Sequence, residues 1–288
     1  MMSWARCARQ LAGATLALAL SVSLGSPPAS AVDTPTVPPA RVHGYYHITW
    51  NGLDLGEFVW DSTISGGQYK VSTNANISAL LGAYTWQGVT RANGTYAPGS
   101  PHPASYRFRF DATDKAGRID MTFANDSVTQ VSENPPDRGT SGRVPLRPAH
   151  LQNVLDPLSA IMALSAPEGG SVDNSNPCQR RLPVFDGKIR FDLVLSFKRK
   201  TQLEGSGARF AYVCRVQFVP IAGHKMNNET KYMAQNDGIE LWMAPVAFAN
   251  VFVPYNVVIP TWAGSAQITS SRVQIDMPGR GRVALSLN

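Results

Sequence analysis

The residues best suited to chemistry in this 288-residue sequence are two histidines and two aspartates in its second half. His150 and His224 are candidate general bases, and Asp156 and Asp186 are carboxylates that could orient them. Such a pair works only within hydrogen-bond reach, about 3 Å, of the proton that it removes. The sequence has no Gly-x-Ser-x-Gly, His-Glu-x-x-His or phosphate-loop motif to fix such a site. A hydrolase with one of these pairs is therefore an alternative, and a non-enzymatic role is favoured.

Both aspartates also have structural interpretations. Asp156 precedes Pro157, and an Asp cap followed by Pro at the first helical position is a typical helix start. Asp186 precedes Gly187, which is a common turn pair between strands. These structural roles are favoured over catalysis for both residues. The remaining histidines are scattered along the chain at His43, His47 and His102.

Cys178 and Cys214 lie 36 residues apart and predict a disulfide. The alternatives are a metal site and two free thiols. A metal site needs three or four closely spaced ligands, and the sequence has no Cys-x-x-Cys or His-x-x-x-His motif. We therefore expect no metal and no cofactor. The third cysteine, Cys7, belongs to the N-terminal leader.

A cluster of basic residues surrounds the predicted disulfide region. It could bind an anionic partner through charge-assisted hydrogen bonds, although a solvated strand face is the commoner reason for such a run. The candidate residues for an anionic partner are Arg180, Arg181, Lys188 and Arg190.

The first 31 residues have the pattern of a secretory signal peptide. Arg6 and Arg9 precede an uncharged, largely apolar run, and the segment ends in Ala29-Ser30-Ala31. The apolar run is too short and too quickly followed by prolines for a membrane-spanning helix. Residues 32–41 contain three prolines and predict an extended tether, and residues 42–288 predict one β-rich domain.

Composition excludes several classes of protein. Charged residues are only 16% of the chain and apolar residues 43%, which argues against a disordered chain. The net charge of +6 falls to +4 once the two leader arginines are removed, and this mild excess does not indicate nucleic-acid binding. No other segment is long and apolar enough to predict a membrane-spanning helix.

In the chain after the predicted signal peptide, apolar residues mostly recur at every second position. This pattern predicts antiparallel strands with one face exposed to solvent. Asn51-Gly52 is a favoured tight turn, so residues 43–62 predict a hairpin with a bulge near Gly56. The clearest other alternations are at Tyr106–Phe110, Ile119–Phe123, Ile189–Phe197, Phe210–Phe218, Val273–Met277 and Val283–Leu287. The exception is Leu151–Leu164, where helical spacing predicts a helix from Pro157 to about Leu164.

These elements predict a mainly β fold, in which a curled antiparallel sheet, or an open barrel or spiral, holds one apolar helix on its concave side. Five tryptophans of the β-rich domain are core residues in the simplest interpretation. Alternatively, they could line a concave apolar groove of the kind that a curled sheet tends to leave open. These residues are Trp50, Trp60, Trp86, Trp242 and Trp262.

Several motifs together resemble those of the domain of unknown function 3108 family, which contains exported bacterial proteins. They comprise Tyr46-x-Ile48-x-Trp50-Asn51-Gly52-Leu53-x-Leu55-Gly56, Leu155-Asp156-Pro157-Leu158-Ser159-Ala160, Cys178 with Val184-Phe185-Asp186-Gly187-Lys188, and Cys214 with Pro220-Ile221-Ala222-Gly223-His224. The resemblance implies an envelope location and a β-rich fold, and it assigns no reaction. The architecture is also similar to that of periplasmic lipoprotein carriers, which by itself says nothing of function.

We therefore expect a periplasmic, non-enzymatic envelope protein that binds a lipidic or amphipathic envelope component or maintains envelope integrity. The ligand is expected against the helix face, and an envelope protein is a further possible partner. The expected ligand-binding residues are Leu155, Leu158, Ile161 and Met162. The alternatives are the hydrolase above and a structural scaffold without a small ligand.

Overall fold

A computed structural model of the protein describes residues 40–97, 100–136, 141–168, 170–279 and 281–287. The predicted signal peptide, residues 1–31, and residues 32–39 of the predicted tether lie outside these ranges. Ala40 and Arg41, which we assigned to the tether, are already paired in the first strand. Arg41 also forms an ion pair with Asp61 of the neighbouring strand, so the folded sheet begins two residues earlier than expected.

Over the described ranges, fifteen antiparallel strands form one sheet. The strands are β1 (Ala40–Trp50), β2 (Leu53–Ser65), β3 (Gln68–Ala79), β4 (Tyr84–Ala97), β5 (Ser100–Ala112), β6 (Ala116–Ala124), β7 (Ser127–Asn134), β8 (Arg181–Phe185), β9 (Arg190–Gln202), β10 (Gly205–Ser206), β11 (Phe210–Ala222), β12 (Glu240–Val246), β13 (Val251–Thr261), β14 (Gly264–Met277) and β15 (Gly281–Leu287). Their order is β7-β6-β5-β4-β3-β2-β1-β14-β13-β12-β11-β9-β8, and β15 pairs with β14 and β10. Most neighbours are consecutive hairpins, as the short turn signals predicted.

The first hairpin and its bulge are confirmed. Ile48 pairs with Gly56 and Thr49 with Asp54, which leaves Leu55 as the extra residue. Gly56 has φ +147°, and a Cβ there would lie 2.0 Å from the carbonyl oxygen of Asn76 in β3. Glycine is therefore required by the close approach of the two backbones.

Helix α1 (Pro157–Ser165) forms as predicted, with the Asp156 side chain as its N-cap. It packs against β4, β5, β8 and β13, which lie in distant parts of the strand order. The sheet must therefore curl around the helix. Leu158 and Met162 pack with residues such as Tyr69 and Met121. Ala160, Ala163 and Leu164 belong to a second buried cluster, which contains the Cys178–Cys214 disulfide.

A second helix, α2 (Asn228–Gln235), was not predicted. Its N-cap is Asn227, whose side chain accepts a hydrogen bond from the Thr230 N–H. The helix packs on β11, and its half-buried Met233 packs against the cluster that contains the disulfide. Its eight residues are mostly polar and have little apolar periodicity, so they gave no sequence signal for a helix.

The sheet is open between its two end strands, β7 and β8. The residues just before α1 lie across this gap. In the described part of the chain, the end strands β7 and β8 do not pair with each other. Instead, the Leu155 N–H donates to Pro183 O of β8, and the Val154 N–H donates to Asp126 O beside β7. An ion pair between Lys188 and Glu133 links the β8–β9 turn to β7. Some backbone groups at both edges of the sheet are therefore hydrogen-bonded, which limits edge-to-edge association with another chain.

Candidate functional site

The predicted ligand-binding helix face is mostly used for packing. Leu158 and Met162 are buried in the core, and Ile161 is half-buried. Leu155 lies before the helix, in a parallel bridge with Val184 of β8. Contact of these four residues with a ligand stays a prediction, and for the two buried residues it would require the packing to open.

Asp156 is fully buried at the start of α1, and burial raises its pKa to about 6 despite the hydrogen bonds that it accepts. Its Oδ1 accepts from the N–H groups of Leu158 and Ser159 at 2.9 and 3.0 Å. Its other oxygen accepts from the Ser159 hydroxyl, which in turn lies 2.5 Å from the Tyr69 hydroxyl. Asp156 is therefore part of a buried structural network with the N-cap role that the sequence predicted.

Asp186 holds the β8–β9 turn. Its Oδ1 accepts from the N–H groups of Lys188 and Ile189 at 2.8 and 2.7 Å. Burial raises the pKa of this carboxyl above its usual value. The residue performs the turn function that Asp-Gly predicts.

The two candidate histidines have separate environments. His150 Nδ1 accepts a hydrogen bond from the Arg147 N–H at 3.1 Å. His224 is buried after β11, and its Nδ1 has no hydrogen-bond partner among the described residues. Within the same ranges, no hydrogen bond or ion pair joins either histidine to Asp156 or Asp186. The structure thus does not bring the four candidates together as a His–carboxylate pair.

Two other histidines do pair with carboxylates. His43 Nδ1 lies 2.9 Å from Asp61 Oδ2. His102 Nδ1 lies 2.6 Å from Asp126 Oδ1, and its Nε2 lies 3.3 Å from the Ser100 hydroxyl. Ser100 and His102 alternate along β5 and point to the convex face, while Asp126 comes from the β6–β7 turn. The Ser-x-His spacing of Ser100 and His102 could have indicated a serine–histidine pair in the sequence. It could not indicate Asp126, which is distant in the chain.

The four basic candidates are each engaged within the protein. Arg180 is mostly buried at the C-terminal end of α1, where it donates to Ala163 O and Ala166 O. Arg181 and Arg190 both contact Asp192, and Lys188 pairs with Glu133. Arg180 therefore satisfies carbonyl groups that a helix end leaves open. The four do not form one convergent anion site, and binding of an anionic partner there stays a prediction.

A different apolar surface lies on the concave face of the sheet, between α1 and the end that carries the β1–β2 and β3–β4 turns. Each of its side chains is uncharged and half-buried. In each of β1, β2, β3 and β5, these residues lie closer to that end than the fully buried residues do. We call this surface the concave apolar band; it consists of Ile48, Phe58, Ala75, Ile77, Trp86, Phe108, Phe110 and Ile268.

Strand register makes the concave apolar band continuous across six strands. Ile268 pairs with Ile48, and Ile77 pairs with Trp86. The ring centroids of Trp86 and Phe108 are 6.4 Å apart, and those of Phe108 and Phe110 are 5.6 Å apart. Cross-strand neighbours on one face interact directly, so the band is a preformed apolar surface.

Two glycines allow the aromatic rings to lie flat on the sheet. A Cβ on Gly88 would lie 2.2 Å from the Trp86 ring, and one on Gly117 would lie 2.5 Å from the Phe110 ring. The charged residues of these strands, such as Arg107 and Arg109, alternate onto the convex face. The concave apolar band can therefore contact an apolar chain without desolvating a charge. Sequence reasoning named Trp86 as a possible groove residue but placed the ligand on the helix.

Two further findings concern the described residues. They contain no group of three or more His, Cys, Asp or Glu side chains that could hold a metal ion. None of their helices has the length and apolar character needed to cross a membrane.

The fold and the concave apolar band define a mainly β protein with one large, open antiparallel sheet curled around an apolar helix. The chain belongs to the DUF3108 family, described as proteins of unknown function, whose family model matches residues 45–270. The resemblance inferred from the sequence motifs is thereby confirmed. No curated protein matches the chain.

Among solved structures, the chain is similar to a β-barrel-like protein of domain of unknown function DUF1849 from Brucella abortus. The TM-score is 0.45 and the sequence identity is 9%, over 84% of this chain and 98% of that chain.

Proposed function

We propose that this protein is a non-enzymatic protein of the bacterial periplasm that binds the apolar chain of an amphipathic envelope molecule on the concave apolar band. The observation that carries the proposal is an uncharged, half-exposed apolar surface continuous over six strands. Exposed apolar surfaces of this extent are characteristic of binding sites. The predicted signal peptide, residues 1–31, supports export, and the half-exposure of the band side chains supports access of a chain from solvent.

A chain-length series tests this proposal directly. Burying one methylene contributes about 0.8 kcal/mol, so each added methylene is expected to tighten binding roughly fourfold. We expect laurate, myristate and palmitate to bind with increasing affinity in calorimetric titrations. Quenching of Trp86 fluorescence by dibrominated palmitate, absent in Trp86→Phe, would locate the chain on the band.

The matched pair of variants is Phe108→Asp and Arg109→Ser, which change neighbouring residues on opposite faces of β5. Phe108→Asp is expected to weaken palmitate binding at least tenfold, and Arg109→Ser to leave it unchanged. Circular dichroism checks that both variants fold. Absence of palmitate binding by the wild type, together with an empty lipid extract of protein purified from its host, would reject the proposal in favour of a scaffold role.

The Ser100–His102–Asp126 array supports a second candidate function, acyl-ester hydrolysis. Asp126 would hold the Nδ1 hydrogen of His102, and His102 Nε2 would accept the Ser100 proton. The Ser100 oxygen would then attack the ester carbonyl, release the alcohol with that proton, and form an acyl-serine that water hydrolyses. The three residues are partly exposed, and His102 and Asp126 line a groove of about 570 Å³.

A fluorophosphonate probe tests the hydrolase candidate. We expect covalent labelling of Ser100 that is lost in Ser100→Ala and falls at least a hundredfold in His102→Ala. Ser78→Ala, which removes another exposed serine hydroxyl, is the control and should label normally. An unlabelled wild-type protein, or equal labelling of Ser100→Ala, would exclude this function.

A further inference from the structure

Three turns at one end of the sheet carry exposed apolar side chains. They are the β1–β2, β3–β4 and β13–β14 turns. The first and third are directly joined, because the Asn51 N–H donates to Ser265 O and the Ser265 N–H donates to Asn51 Oδ1. Pairing of Gly56 with Ile77 brings the second turn to the same end. The three turns are therefore neighbours along one rim of the sheet.

The apolar residues of this rim are far more exposed than apolar side chains of a folded protein usually are. Leu53 is 69% exposed, Leu80 is 79% exposed, Trp262 is 78% exposed, and Leu81 is fully exposed. We call these four residues the tip residues. Tyr84 lies beside them and is also exposed. Single exposed leucines are ordinary, but a set of such residues on adjacent turns indicates a contact surface.

The backbone at Leu80 and Leu81 is strained. Both residues have left-handed conformations, with φ of 54° and 58°. This conformation is uncommon for any residue other than Gly, Asn or Asp. The turn therefore holds two leucines outward at a conformational cost that a glycine or asparagine would avoid.

Two of the three hairpins that carry the tip residues, β3–β4 and β13–β14, lack charge over long stretches, whereas the β1–β2 turn carries the exposed Asp54 next to Leu53. Residues 71–90 contain no Asp, Glu, Lys, Arg or His, and neither do residues 241–271. Charged residues make up 16% of the whole chain, or about one in six, so runs of 20 and 31 residues without one are unusual. The adjacent β5–β6 turn carries Asp114 and Lys115, whose charges cancel.

We infer that the tip residues insert into the interfacial region of a lipid bilayer and dock the protein reversibly on it. Leucine side chains favour the hydrocarbon boundary, and Trp and Tyr favour the headgroup level. A bilayer interface needs neither charge pairs nor directional hydrogen bonds, in agreement with the two uncharged hairpins. Docking in this orientation would turn the concave apolar band toward the membrane, because the band lies next to the same end of the sheet.

Vesicle flotation tests this inference independently of the proposed function. The wild-type protein is expected to float with phosphatidylcholine vesicles, and the fluorescence of Trp262 to shift to the blue on their addition. Leu81→Asp and Trp262→Ser are each expected to reduce flotation at least tenfold. The control is Phe197→Ser, which removes an exposed apolar side chain from β9 and should float like the wild type.

Flotation at different salt concentrations and with different lipid charge distinguishes docking by apolar insertion from docking by electrostatic attraction. Raising the salt concentration from 0.15 to 0.5 M, which shortens screening lengths to a few Å, should leave flotation unchanged. A wild-type protein that does not float, a Leu81→Asp variant that floats normally, or a requirement for anionic lipid would overturn the inference. Retention of palmitate binding by Leu81→Asp, and of flotation by Phe108→Asp, would separate docking from ligand binding.

Discussion

Replacing both Cys178 and Cys214 by alanine is expected to lower the free energy of unfolding by about 4 kcal/mol. The disulfide closes a loop of 36 residues, and the loss of loop entropy in the unfolded chain sets this magnitude. Alanine is chosen because both positions are fully buried, where a serine hydroxyl would add its own cost. In a domain of this size, the melting temperature should fall by roughly 8–16 °C.

Urea unfolding followed by circular dichroism measures this effect. Wild-type protein in reductant should approach the stability of the double variant, and reductant should leave the double variant unchanged. The disulfide joins the segment before β8 to β11 within the core cluster that holds Leu164 and Leu195. If the oxidised wild type and the double variant differed by less than 1 kcal/mol, the cross-link would not have the stabilising role that we assign to it.

Local sequence signals predicted the parts of the fold that depend on neighbouring residues. Asn51-Gly52 set the first hairpin, and Asp156-Pro157 set the start of α1, because backbone conformation and capping act over a few residues. The bulge at Gly56 was visible as a slip in the apolar period. Helix α2 was missed although it has a local cap in Asn227, because its residues show little apolar periodicity and its packing on β11 is a contact that periodicity does not reveal.

The candidate site was harder to predict because it depends on register between distant strands. Alternation showed that Trp86 and Phe108 each lie on an apolar face, but only the curl of the sheet determines which part of that face α1 covers. The helix covers the part near Tyr69 and leaves the part near Ile77 half-exposed. The His102–Asp126 pair likewise joins a strand and a turn 24 residues apart. Periodicity cannot encode such contacts.

The N-cap of α1 gives the second prediction, which concerns pH. The pKa of Asp156 is about 6 in the folded protein, against 3.8 as its ordinary value. Above pH 6 the carboxyl is ionised in both states, and folding bears a cost of about 3 kcal/mol for burying the charge. Well below pH 3.8 that cost vanishes, because the carboxyl is then protonated in both the folded and the unfolded state. The stability of the wild type relative to Asp156→Asn should therefore rise by about 2 kcal/mol from pH 7 to pH 4.

Urea unfolding of both proteins at several pH values measures this difference. Comparison with Asp156→Asn removes the pH dependence of every other group, and Asp114→Asn, on an exposed turn, is the matched control. A difference between wild type and Asp156→Asn that stays constant from pH 7 to pH 4 would show that Asp156 does not titrate in this range.

The hydrogen-bond direction in this buried network extends the prediction to Tyr69. An ionised Asp156 only accepts, so the Ser159 hydrogen must point to Asp156 and the Tyr69 hydroxyl must donate to Ser159. In Asp156→Asn, the amide nitrogen can donate to the Ser159 oxygen, and the Ser159 hydrogen then points to the Tyr69 oxygen, so the Tyr69–Ser159 hydrogen bond persists in the opposite direction. Tyr69→Phe removes this bond in either background and should cost about 1 kcal/mol in the wild type at pH 7. A negligible cost of Tyr69→Phe in urea unfolding would contradict a stabilising role of the Tyr69–Ser159 hydrogen bond, because the substitution removes only the hydroxyl that forms it.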